Sequence, residues 1–227
     1  MTTTNTLPAI LLASNSPRRR ELLALGRWTF HVSVPNVDES RRAGEPPGAY
    51  VVRLAETKAR AAASAQDPSS RFVVGADTAV VDGDALLGKP ADAAEAMSML
   101  RRLRGHTHQV YTGLAILDRH SSQLVTDLCV TDVPMRRYSE AEIIDYIGTA
   151  DPLDKAGSYA IQHPSFRPVE GLHGCYASVM GMPLCHLSRL LTRLGAQPPA
   201  DLPASCQAHL DYDCPVSSAI LRGEQVG

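Results

Sequence analysis

The run Phe72-Val73-Val74-Gly75-Ala76-Asp77-Thr78-Ala79-Val80-Val81 commits this chain to a sheet, because it is a β-type run followed at once by Asp82-Gly83, a strong hairpin turn signal. The return segment Ala85-Leu86-Leu87 ends at Gly88-Lys89-Pro90. A carboxylate inside such an apolar run must be paired, must bind a metal, or must sit at a strand end in a pocket. Asp77 therefore reads either as half of a structural salt bridge or as a base or metal ligand with the Thr78 hydroxyl beside it. Gly75 allows another backbone or a ligand to come close.

Around this strand, helices and strands alternate. Leu7 to Ala13 is a short apolar run, followed by Ser14-Asn15-Ser16 and then Pro17 to Leu25 before Gly26. That order predicts strand, tight loop and helix, with Ser16 as N-cap and Pro17 at the first helical position. A second helix is expected over 49–63, after the breakers Gly44-Glu45-Pro46-Pro47-Gly48, with an apolar stripe of Val51, Leu54, Ala55, Ala59 and Ala62. A third runs from Asp92 to Leu103 with Ala93, Met97, Leu100 and Leu103 inward. Strands are expected near 109–117 and 123–136, joined by a polar turn. Ser139 with Glu142 three residues on is a capping box opening another helix. Residues 154–181 read as loops mixed with strands, and 183–194 as a closing amphipathic helix. The pattern favours an α/β or α+β sheet protein.

Composition excludes several classes. The chain has 227 residues, 44% hydrophobic and 20% charged, which suits one compact domain or two closely joined lobes. A formal net charge of −2 provides no field for non-specific binding of nucleic acid or an anionic membrane. The five cysteines are odd in number and form no C-x-x-C pair, which argues against a disulfide framework or zinc ribbon and for buried, reduced thiols. No run approaches the length of a membrane span, and the N-terminus lacks the features of a signal peptide. A soluble cytoplasmic protein is the expectation.

Any phosphate chemistry must then come from local clusters of Arg and Lys. Arg18, Arg19 and Arg20 occupy the first turn of the first helix, where the partial positive charge of the helix end disfavours them. A bound polyanion reverses that sign, since backbone N–H groups, the Ser14 and Ser16 hydroxyls and the guanidinium forks converge on it; the alternative is a solvated basic turn. Lys58 falls on the apolar stripe of its own helix, so it either snorkels to water or faces a cleft holding an anion. Lys89 in Gly-Lys-Pro is not a P-loop, because no Ser or Thr follows. Gln162 offers both an amide donor and an acceptor to a base edge, or bonds backbone. Glu39 beside Asp38 is a candidate second carboxylate. His106-x-His108 lacks a third ligand and reads as surface or core histidines.

These residues form a pattern that resembles the Maf family, also called septum-formation inhibitor or Maf-like nucleotide pyrophosphatases. The matching blocks are Leu12 to Leu23, Val52 to Ala59, Gly75-Ala76-Asp77-Thr78, Leu87-Gly88-Lys89-Pro90, His108 to Gly113, Asp151 to Gly157 and Val179 to Leu184, in the family's order. The resemblance implies a mixed α/β (α+β) fold of Maf/ITPase-like type, with an elongated mixed sheet flanked by helices around a deep central cleft. It implies hydrolysis of a nucleoside triphosphate between the α- and β-phosphates, with Mg²⁺ or Mn²⁺ as cofactor. Asp77 is then the general base; Ser14, Arg18, Arg19, Lys58, Thr78, Lys89 and Gln162 bind substrate; Glu39 and Asp77 hold the metal.

Arg18, Thr78 and Gln162 look like the branch acting on dTTP and UTP. The segment His163-Pro164-Ser165-Phe166-Arg167-Pro168-Val169 departs from that branch's glycine-rich turn. The alternatives are a broad or 7-methyl-GTP-type pyrophosphatase, or a nucleotide-binding division regulator with little turnover. The resemblance also suggests a homodimer, with no nucleic acid or membrane as partner. Residues 7–195 are expected to form the pyrophosphatase domain, and 196–227 a linker and tail of unassigned role.

Overall fold

The computed structural model describes residues 9–64, 70–198 and 201–227. Leu7 and Pro8 of the first expected strand, and Pro199 and Ala200 of the expected linker, lie outside the described residues. The chain runs β1 (Ile10–Leu12), α1 (Pro17–Ala24), β2 (Phe30–Val32), α2 (Pro47–Ala63), β3 (Phe72–Asp82) and β4 (Ala85–Leu87). It continues through α3 (Ala93–Leu103), β5 (Thr107–Asp118), β6 (Leu124–Pro134), α4 (Glu140–Gly148), α5 (Tyr176–Val179), α6 (Leu184–Arg193), α7 (Leu202–Leu210) and α8 (Ser217–Leu221). The fold is mixed α+β, built on a six-stranded mixed sheet of order β2-β1-β3-β5-β6, with β4 paired to β3.

Strand β3 forks that sheet. On one edge β5 pairs with it from Phe72 to Val81. The other edge is shared, parallel to β1 at Phe72–Val74 and antiparallel to β4 at Val80–Asp82. Residues 75–79 between them have no strand partner on that edge among the described residues, and Asp77 and Thr78 lie in the opening. Side chains alternate along a strand, so the two residues serve opposite faces. Val73 packs with Ala55, Ala59 and Ala62 of α2, and Asp77 shares that parity. Val74 and Ala76 belong to the larger core with Leu22, Leu100 and Leu190, and Thr78 shares theirs.

The stripe expected on α2 is the buried face found, residue for residue. It lies against the strand backbone at Gly75, where an added Cβ would stand 2.1 Å from the Ala55 carbonyl oxygen and 2.9 Å from the Ala59 nitrogen. On α3 the face differs from expectation: Ala96, Met99, Leu100 and Leu103 are buried, Ala93 is exposed and Met97 only half-buried. The helix starts after the Asp92 N-cap, and its first turn projects beyond the core. The capping box at Ser139 and Glu142 is present. Residues 154–181 hold the end of a 3₁₀ turn over Asp151–Asp154, a second over Ala156–Ser158, one isolated bridge from Val169 to Met135, and α5 rather than strands. Strand β2 carries no signal in the sequence; it is three residues long, too short to show a period. Helix α7 begins inside the stretch read as linker, and the fully buried Leu202 and Ile220 pack the tail onto the body.

Among the described residues no helix is long and apolar enough to cross a membrane. Gly75→Ala is expected to cost about 3 kcal/mol, because the methyl group meets backbone that cannot rotate away. Gly148→Ala, where an added Cβ meets nothing, should stay within about 1 kcal/mol of the parent. Urea denaturation of the two variants checks the contrast.

Candidate active site

The end of β1 delivers Ala13 and the loop 14–16 to the fork in β3. Ser16 caps α1, its Oγ accepting from the Arg19 amide at 3.4 Å. Ser14 Oγ accepts from the Ser16 amide at 3.2 Å and from Arg19 at 3.2 Å. Both hydroxyls accept here, so each keeps its own proton to donate. The Arg18 amide, in the first turn of α1, has no acceptor among the described residues.

The three arginines have separate positions. Arg19 turns inward: Nε donates to the Gly181 carbonyl at 2.9 Å, Nη1 to the Ala76 carbonyl at 2.8 Å, and Nη2 to Thr78 Oγ1 at 3.1 Å. With Ser14, four of its five N–H donors are in use. Burial pulls its pKa below the ordinary guanidinium value, while Asp77 opposes the shift. Arg18 lines the cleft with no hydrogen bond or ion pair among the described residues. Arg20 contacts the Asn15 carbonyl at 3.3 Å.

The Arg19 contact continues as a relay. Thr112 Oγ1 donates to the Ser178 carbonyl at 2.9 Å, so its one proton is committed. Thr78 Oγ1, 3.0 Å away, must therefore donate to Thr112 while accepting from Arg19. Gly181 closes the ring with φ +97°, a left-handed conformation that a side chain resists. A Cβ there would also stand 3.0 Å from Thr78 Oγ1.

On the opposite face Lys58 reaches the carboxylates. Its Nζ lies 2.6 Å from Asp77 Oδ1 and 2.8 Å from Glu39 Oε1, with its side chain 11% exposed. Burial raises the Asp77 pKa, and the charges of Lys58 and Arg19 pull it back. The second oxygens of Asp77 and Glu39 have no partner among the described residues. Tyr50 Oη donates to the Glu39 carbonyl at 2.9 Å, and Arg53 holds Glu45 at 2.6 Å, fastening the loop that carries Glu39.

These groups line one cleft of about 800 Å³, together with Lys89 and Gln162. Lys89 and Gln162 are exposed and without partners among the described residues. Gln162 stands two residues after Ala160, whose amide donates to Tyr146 Oη at 2.9 Å. The segment after it is fixed by rings: Phe166 stacks on Tyr146 at 4.2 Å and His163 packs at 4.7 Å. Lys155 also lines the cleft, with Nζ bound to Asp151 and Asp154.

Ser14, Arg18, Arg19, Glu39, Lys58, Asp77, Thr78, Lys89 and Gln162 thus meet in one place. Sequence reading missed Tyr50, Thr112 and the carbonyls of Ala76, Ser178 and Gly181. Only the glycine before Met182 hinted at the last. His106 and His108 are separately engaged, His106 with Asp82 at 2.9 Å and His108 with Tyr159 Oη at 2.8 Å. Among the described residues, no group of three or more His, Cys, Asp or Glu is arranged to hold a metal.

Burial holds His108 neutral and pushes its pKa down to about 4. A histidine whose folded pKa lies below its unfolded value contributes stability fully above the unfolded pKa. That contribution is lost as pH falls toward the folded one. Stability should therefore drop by about 2–3 kcal/mol between pH 6.5 and 4, and His108→Gln should flatten that slope in urea midpoints measured across the range. An unchanged slope would remove His108 as its source.

The Maf-like protein family profile matches residues 9–194. The chain is 44% identical over 188 residues to a dTTP/UTP pyrophosphatase of Citrifermentans bemidjiense, covering 83% of this chain and 96% of that protein. It is 48% identical over 186 residues to one of Myxococcus xanthus, covering 82% and 92%, and 43% identical over 187 residues to one of Geobacter sulfurreducens, covering 82% and 97%. A match over most of the chain, with relatives of this identity, places it: the chain belongs to the Maf family.

Proposed function

We propose that this chain hydrolyses nucleoside triphosphates between the α- and β-phosphates, releasing a monophosphate and pyrophosphate, with dTTP and UTP as its substrates. The observation that carries the reading is Asp77, a buried carboxylate held 2.6 Å from a lysine at the fork of β3, in a cleft also lined by arginines and a second lysine. Relatives named dTTP/UTP pyrophosphatases support it.

Asp77 orients a water and takes its proton. The water oxygen bonds to the α-phosphorus, and the bond to the bridging oxygen breaks toward pyrophosphate. A base with a pKa raised by burial accepts that proton more readily. Arg18 and Lys89, without protein partners among the described residues, meet phosphate oxygens, with the Ser14 and Ser16 hydroxyls and the Arg18 amide as neutral donors. Arg19 adds charge while its donors fix the frame. Lys58 holds Asp77 and Glu39 together. Gln162, which lines the same cleft as Arg18 and Thr78, is the amide that reads the base.

A divalent cation, Mg²⁺ or Mn²⁺, fits the Asp77 and Glu39 corner. Each carboxylate has an oxygen without a protein partner among the described residues, and such ions take one or two carboxylates plus phosphate and water. When bound, the cation neutralises developing phosphate charge. A cytoplasmic homodimer belongs to the same proposal.

Pyrophosphate release across canonical and modified nucleotides, including 7-methyl-GTP, tests the reading; no release from any of them with Mg²⁺ or Mn²⁺ would sink it. Asp77→Asn should lower kcat by at least about 10²-fold while leaving nucleotide affinity largely intact. Arg18→Ala should raise KM by roughly tenfold, as loss of one charge-assisted contact implies. Full activity in the Asp77→Asn variant would take the base role away from Asp77.

A further inference from the structure

Gln162 enters the cleft from the corner of two interlocked turns, and His163 belongs to both. The His163 amide donates to the Ala160 carbonyl at 3.2 Å, closing a turn whose middle residues are Ile161 and Gln162. The His163 carbonyl accepts from the Arg167 amide at 3.3 Å, which closes the next one. The ring serves that second turn as well. Its Nδ1 accepts from the Phe166 amide at 2.9 Å, so the neutral ring carries its proton on Nε2.

Tyr146 moors both turns. Its Oη accepts from the Ala160 amide at 2.9 Å and donates to Asp151 Oδ2 at 2.7 Å. Its ring stacks on Phe166 at 4.2 Å and meets the His163 ring edge-on at 4.7 Å. Arg136 closes the far side, with Nε donating to the Arg167 carbonyl at 2.8 Å and Nη2 to the Phe166 carbonyl. Arg167 itself has φ +42°, a left-handed conformation that a side chain resists. Such a turn persists only while its surroundings hold it, and Nδ1 supplies one of the bonds inside it. The Gln162 amide, by contrast, is exposed and has no partner among the described residues. Its backbone is fixed and its side chain is free. His163 does not line the cleft, so whatever it does there it does through its neighbour.

We propose that His163 is a positioning residue for base recognition: its Nδ1 locks the turn after Gln162 and so fixes the point from which that amide meets a pyrimidine edge. This role rests on the nucleotide reading of the cleft and adds to it the group that aims the base-reading amide. Recognition by a planar hydrogen-bonding group requires a placement good to about 0.5 Å, which a free loop does not give. The acceptor, not the bulk of the ring, is the part that matters.

Two variants of the full chain separate those parts. His163→Leu keeps bulk against Tyr146 but offers no acceptor; His163→Asn loses bulk but places Oδ1 where Nδ1 stands. Pyrophosphate release from UTP and from GTP is measured with Mg²⁺. His163→Leu should lower the UTP-to-GTP ratio of kcat/KM by about fivefold, mainly through KM for UTP, as loss of one aimed hydrogen bond implies. His163→Asn should keep the parental ratio. In a Gln162→Ala background, His163→Leu should change the ratio no further. Hydrogen exchange reads the turn without turnover: the Phe166 amide should exchange at least about fivefold faster in His163→Leu and at the parental rate in His163→Asn. A parental ratio in His163→Leu, a defective His163→Asn, additive losses with Gln162→Ala, or unchanged exchange overturns the role of His163 alone. A parent that releases pyrophosphate from neither nucleotide, or equally from both, overturns the reading of the cleft and this role with it.

Discussion

Arg19 holds four pieces of chain in one arrangement: the loop after β1, helix α1, strand β3 at its fork, and the turn at Gly181. Helix α1 carries the arginine, and each of the other three pieces offers it an oxygen that burial would leave costly if unpaired. One planar, always charged fork satisfies them together, which a lysine's single ammonium could not do. With that clamp in place, β3 can leave one edge open between β1 and β4 without exposing the Ala76 carbonyl. The opening then becomes a cleft rather than a defect. The same clamp leaves Arg18, its neighbour on the first turn, facing outward into that cleft.

Gly75 sets the other wall. Because α2 rests on the strand backbone there, Lys58, one turn beyond Leu54, comes level with Asp77, two residues beyond Gly75. The lysine is ordered by two carboxylates rather than by solvent. Its burial on an otherwise apolar stripe is tolerated because both charges find partners at hydrogen-bond distance.

Much of this was legible in the sequence because it is periodic or local. The α2 stripe, the Ser16 and Ser139 caps, the Asp82-Gly83 hairpin and the misplaced Lys58 are all signals within a few residues of one another. Asp77 stood out because an apolar strand has no ordinary use for a carboxylate. What the sequence hid was long-range or made of backbone. The roles of the Ala76, Ser178 and Gly181 carbonyls depend on folding, since every residue carries such a group. Thr112 looks like any strand threonine until it faces Thr78 across β3 and β5. Strand β2 is too short for periodicity, the buried face of α3 is rotated from the expected one, and α7 is masked by the prolines around it. The relation between Arg18 and Arg19 was also hidden: adjacent residues of one type differ in role because a helix turns about 100° per residue.

The fork in β3 has one more effect. Asp77 and Thr78 are neighbours, yet the pleat sends one toward a lysine that it shares with Glu39 and the other toward a guanidinium. The Asp77, Glu39 and Lys58 corner carries one net negative charge, while Arg18 and Lys89 face the same space without anionic partners among the described residues. The cleft is therefore an electric dipole built across a single strand. An unsymmetrical polyanion entering it feels a torque as well as an attraction.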